Sequence, residues 1–289
     1  MKNKKNVFLL IIICSFFMSI LLFYKDNTSV IKFFPIDESI SFSSYNTEIS
    51  LISETDQDEY DINWSSSSKL RTPIYLRQDV SLLYTDGRLK GILSKWKESE
   101  KDIILNSKIH GEDSSHFQTI SFHHGEIHYP DDKIKSIHRM SYDELYVIDS
   151  PHTALESFEV PTNHSQTEWK KTLDHATNQQ LSYHWKQLIN YFKIPQDRYV
   201  FVPLTDLQHY EDNPIPTLTK NQTKQVIGQL WEGLYKNYIL TITRDEQPVN
   251  SFIPLILFDK QGEHLLVLFQ DQHKKMQKLK QNYPSFNNR

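Results

Sequence analysis

Cysteine and glycine are what this chain most lacks. Its one cysteine, Cys14, lies inside an apolar run, so the rest of the chain can form no disulfide, hold no thiolate metal site and offer no cysteine nucleophile. Stability must come from burial, and 38% hydrophobic residues in 289 positions suffice for one sizeable core or two small ones. The seven glycines supply no phosphate-cradling loop, no dinucleotide fingerprint and no Gly-x-Ser-x-Gly elbow. Nucleotide binding and elbow-type serine chemistry are excluded on that ground, although Ser114, Ser115, Ser121 and Ser141 sit near histidines and acids. Positive charge is also short. Three of the 32 Lys and Arg (Lys2, Lys4, Lys5) precede the apolar run, which leaves 29 against 36 Asp and Glu. A basic nucleic-acid footprint is absent, so no nucleic-acid partner is expected.

What the chain does have is an apolar run from Val7 to Tyr24 behind that basic head. At about 1.5 Å per residue such a run reaches about 27 Å, close to the hydrocarbon thickness of a bilayer. Large apolar residues continue past any reasonable cleavage point, which predicts a retained transmembrane signal-anchor at 7–24 with a cytoplasmic tail at 1–6. The expected localisation is the cell membrane, single-pass, with the C-terminal part extracytoplasmic. Residues 25–70, rich in Ser and acids, read as a stalk. The apolar Ile40, Phe42, Ile49, Leu51 and Ile52 predict that part of it packs on the domain.

Residues 71–283 read as an α+β domain, an antiparallel β-meander followed by helices packed on a mostly antiparallel sheet, with 150–165 the place where a subdivision fits. Val80–Tyr84 and Leu89–Leu93 flank Asp86-Gly87, a pair suited to a tight hairpin turn, and the meander is expected to run from Ile74 to about Ile148. A helical region opens near Thr167, as one kinked helix or as two joined at a capping box over Thr177 to Gln180. Thr219 and Gln222 make another capping box, ahead of Val226, Ile227, Leu230, Trp231, Leu234 and Tyr235 at helical spacing. Ile239–Thr243, Phe252–Phe258 and Leu265–Phe269 read as strands, the last two too apolar to have a wet face. Pro254 conflicts with a place inside a central ladder.

Seven of the 13 histidines fall between His110 and His152. On a straight strand, His124, Glu126 and His128 share a face at two-residue spacing and are the candidate ligands for zinc or another divalent transition metal. A hairpin turn at His124-Gly125 would instead splay them into water, leaving a polar tip. Asp143, Glu144 and Asp149 offer carboxylates for glycoside cleavage, but Ser141-x-x-Glu144 reads more simply as a helix cap. Lys274, Lys275, Lys278 and Lys280 read as a solvated terminal helix face, with an anionic polymer as the other reading. The function expected is a non-catalytic binding, scaffolding or sensory domain at the cell envelope. Its partners would be the membrane through the N-terminal helix, and an envelope polymer or envelope protein. The alternative is a metal-dependent envelope enzyme using the histidines between 110 and 152.

Overall fold

Alternation of side chains decides most of this fold. A computed structural model describes residues 31–56, 59–151, 153–242 and 251–284. In β1 (Ser44–Asp56) and β2 (Glu59–Lys69), β2 turns Tyr60, Ile62 and Trp64 inward while Asp61 and Asn63 turn away. β2 pairs with β1 on one side and with β5 (Asp102–Gly111) on the other, in the order β1-β2-β5. The acidic, Ser-rich segment expected as a stalk is therefore largely sheet. Its period-two apolar residues outweigh its charge, with Glu48 and Glu59 standing on the wet face.

The second sheet contains β3 (Leu76–Thr85), β4 (Arg88–Glu98), β6 (Ser115–His128), β7 (Ile134–Ser150) and β8 (Thr153–Phe158), in the order β4-β3-β6-β7-β8. Asp86 and Gly87 close the β3–β4 hairpin with φ of 48° and 79°, the left-handed region that a two-residue turn requires. The first sheet packs over one face of the second. Ile49, Tyr60, Ile62 and Trp64 meet Leu83, Phe117, Leu145 and Val147 in one buried cluster.

The third sheet is built from β9 (Tyr199–Pro203), β10 (Leu255–Asp259), β11 (His264–Gln270) and β12 (Met276–Asn282), in the order β12-β11-β10-β9. Pro254 lies just outside β10, where its carbonyl accepts from Leu204 N (3.0 Å), so no ladder bond is lost. Helix α1 (His164–Tyr191) covers one face of this sheet through Leu188, Trp185 and Ile189. On the other face Phe269 meets Tyr238, which lies in a π-helical turn, Tyr235–Ile239, that prolongs α2 (Lys220–Leu234). At the start of α2, Gln222 N donates to Thr219 Oγ1 (3.3 Å) and Thr219 N donates to Gln222 Oε1 (2.8 Å), the reciprocal cap. Trp231 of α2 stacks on Phe122 of the second sheet at 5.0 Å.

Strand residues make up 47% and helix 26%, in three antiparallel sheets, so the chain is mainly β and the α+β expectation is corrected. Four local readings change with it. Ser141 to Glu144 lies within β7 and caps no helix, because cross-strand pairing with β6 satisfies its backbone. Thr177 to Gln180 is interior to a single α1 capped at Asn163, and Leu240–Ile242 continues helically where a strand was expected. The lysines at 278 and 280 stand on the strand β12. The N-terminal transmembrane helix at Val7–Tyr24 and the tail at 1–6 lie outside the described residues. Among the described residues no helix is long and apolar enough to cross a membrane, so a membrane span is not shown.

Candidate functional site

The even-numbered side chains of β6 and β7 turn away from the first sheet, toward α1 and a 3-10 helix, Leu204–Glu211. At one end of that face apolar packing gives way to polar residues. His116 and Gln118 of β6 stand beside Tyr142, Glu144 and Tyr146 of β7, and α1 supplies Lys170, Asp174, Thr177 and Asn178 along one stripe. Asp206, Gln208 and His209 close the third side of a cleft of about 440 Å³, within the usual range for small-molecule sites.

His116 organises the floor. Its ring stacks on Tyr146 (centroids 4.1 Å apart, 9° between planes), its Nε2 lies 3.1 Å from Glu144 Oε2, and its Nδ1 lies 3.7 Å from Asp174 Oδ1 without a hydrogen bond. Tyr142 OH donates to Glu144 (3.0 Å) and receives Gln118 Nε2 (3.0 Å). Tyr146 OH donates to Asp174 Oδ1 (2.8 Å), while Lys170 Nζ donates to Asp174 Oδ2 (2.9 Å) and to the Tyr146 hydroxyl.

The electrostatics follow from these partners. Burial alone would raise the Glu144 carboxyl, but His116, Lys170 and Tyr142 together hold it below the usual carboxylate range. Asp206 is raised, first by desolvation and then by the Glu144 charge, with His209 and Thr205 opposing. Burial raises the Tyr142 and Tyr146 hydroxyls as well, and both remain donors. Besides His116 Nδ1, Thr177 Oγ1 is buried without a partner beside the same cleft.

The sequence-predicted metal residues are placed differently. β6 runs straight through His124-Gly125, so no turn interrupts it. Yet the ligand atoms of His124, Glu126 and His128 do not all gather within 4.8 Å of one another, because each side chain finds a separate environment. His124 is buried with its Nε2 3.2 Å from Ser136 Oγ; His128 stacks on Tyr75 at 3.6 Å and comes no nearer than 3.9 Å to Glu126. His138 Nε2 donates to Lys224 O (2.9 Å), the exposed His110 lies 2.6 Å from Asp61, and His152 lies outside the described residues. Among the described residues the group with metal-like spacing is Asp259, Glu263 and His264. There Arg198 already donates to Asp259 (3.0 and 3.2 Å) and to Glu263 (3.0 Å), so one guanidinium holds both carboxylates.

Sequence reasoning counted His116 only among the clustered histidines, read Glu144 chiefly as a helix cap, and missed Lys170, Asp174 and Asp206. The available signal was polar residues interrupting the inward stripe of α1 between Leu173 and Leu181. No protein-family model, curated protein or solved structure matches this chain, so the reading of the cleft rests on its own geometry.

Proposed function

We propose that the cleft of this protein is a non-catalytic binding site for a small cationic, hydroxyl-bearing ligand of the amino-sugar class. The observation that carries the reading is two buried polar atoms without partners, His116 Nδ1 and Thr177 Oγ1, beside a cleft walled by Glu144, Asp174 and Asp206 against a single lysine. Buried polar atoms are ordinarily satisfied, and such orphans mark where a ligand or ordered water completes the set. The charge balance favours an ammonium and disfavours an anion. Gln118, Asn178 and Gln208 provide paired donors and acceptors for hydroxyls, and Trp185 and Tyr142 supply aromatic walls.

A thermal-shift panel tests this. Glucosamine should stabilise the protein, by about 2.7 kcal/mol at a hundredfold excess over Kd, while succinate leaves the melting temperature unchanged. Stabilisation by the dicarboxylate alone, or by none of the amines, refutes the reading.

A further inference from the structure

The odd-numbered side chains of β6 and β7 turn to the opposite face, into the interior between the first two sheets, and there a separate group of polar residues meets. His123 Nδ1 lies 2.7 Å from Asp79 Oδ2 and His123 Nε2 lies 2.8 Å from Ser141 Oγ. A carboxylate only accepts, so Nδ1 carries the proton and Nε2 presents its lone pair to the serine hydroxyl. Asp79 is itself fixed, receiving the Ser68 hydroxyl and standing 3.6 Å from the Arg77 guanidinium. Asp79 and His123 are fully buried, whereas Ser141 keeps partial exposure. The reason is topological: β8 pairs with β7 only from Tyr146 onward, so β7 is an outer strand at Ser141.

We propose that Asp79, His123 and Ser141 form an acid–base–nucleophile relay that makes Ser141 reactive toward short acyl esters, a catalytic site separate from the cleft. The nucleophile–base and base–orienter hydrogen bonds of such a relay are both present. In the first step Ser141 Oγ bonds to the ester carbonyl carbon as its proton passes to His123 Nε2. That proton then leaves with the alcohol as the C–O bond breaks. Water, deprotonated by the same imidazole, releases the acid and regenerates the serine. Asp79 is a positioning residue, holding the tautomer and stabilising the imidazolium.

Thr47 modulates this. Its hydroxyl donates to Ser121 (2.7 Å) and lies 2.5 Å from Ser141 Oγ, so it offers only lone pairs there and competes with His123 for the single serine proton.

The test treats the full chain with a fluorophosphonate, which forms a serine Oγ–P bond with loss of fluoride. The adduct should map to Ser141 by peptide mass spectrometry, slow by about a hundredfold or more in His123→Gln, and form faster in Thr47→Val. Each variant is checked for wild-type circular dichroism and melting. If His123→Gln does not fold, Thr47→Val decides: its labelling at Ser141 should be faster than in the wild type. No adduct on the folded wild type, an adduct elsewhere, an unchanged rate in folded His123→Gln or a rate not raised in folded Thr47→Val overturns the proposal.

Discussion

Removing two carboxyls, Glu126 and Glu211, should expose an acid lability that the wild type conceals. Burial pushes His124 down to about 3, with the charges of His138 and Arg77 adding, and burial likewise pushes His138 down to about 3. A histidine depressed below its ordinary 6.5 contributes stability that is present above pH 6.5 and is lost as pH falls toward 3. Glu126 and Glu211 act in the opposite sense. Burial raises both from 4.5 to about 7, so their contribution is present below pH 4.5 and is lost as pH rises through 7. Between pH 4.5 and 6.5, each histidine subtracts about 1.4 kcal/mol per unit of acidification and each glutamate adds about as much. The four contributions nearly cancel, and the decline due to the histidines begins only below about pH 4.5, at about 2.7 kcal/mol per pH unit. In Glu126→Gln/Glu211→Gln it should begin near pH 6.5, with a deficit of about 5 kcal/mol at pH 4.5 relative to the wild type when both are matched at pH 7. Urea unfolding followed by tryptophan fluorescence across this range measures the difference. Identical pH profiles for the two proteins refute the reasoning.

Other outcomes follow from packing. Trp231→Ala removes a fully buried ring that stacks on Phe122 and donates to Met140 S (3.3 Å); it should cost about 3–5 kcal/mol in urea unfolding. Gly228→Ala places a Cβ 2.0 Å from the Phe33 ring, which lies between His124 and His138, and should cost about 1–3 kcal/mol and raise amide exchange in residues 33–37. Asn163→Ala deletes the side chain that accepts from Gln166 N (2.8 Å) at the start of α1, a loss of about 1 kcal/mol readable in the melting temperature.

Local chemistry was legible in the sequence, and long-range pairing was not. Asp86-Gly87 and Thr219 with Gln222 each encode their structure within four residues, so the hairpin and the cap could be read directly. Composition misled at β1 and β2, where acids and a run of serines, two of them (Ser66 and Ser68) on the buried face, hid the alternation of Tyr60, Ile62 and Trp64. Ser141-x-x-Glu144 carries a helix-cap pattern, yet pairing with β6 decides its conformation, and no local rule contains that partner. The candidate site shows the same division. His116 was one histidine of a cluster and Glu144 read as a helix cap; Asp174 reaches them only because α1 folds back over the sheet. His124, Glu126 and His128 had metal-like spacing on one strand; what disperses them is Phe33 and Tyr75, distant in the chain, and Ser136 on the paired strand β7.

The most direct test of the cleft is calorimetric titration of glucosamine into the wild type and into Glu144→Gln/Asp206→Asn, with glucose as the uncharged comparison. The account predicts saturable one-to-one binding by the wild type, at least about tenfold weaker binding of glucose, equivalent to about 1.4 kcal/mol, and loss of the glucosamine heat in a double variant that melts like the wild type. Undiminished glucosamine binding by that variant, or equal affinity for glucose, would contradict it.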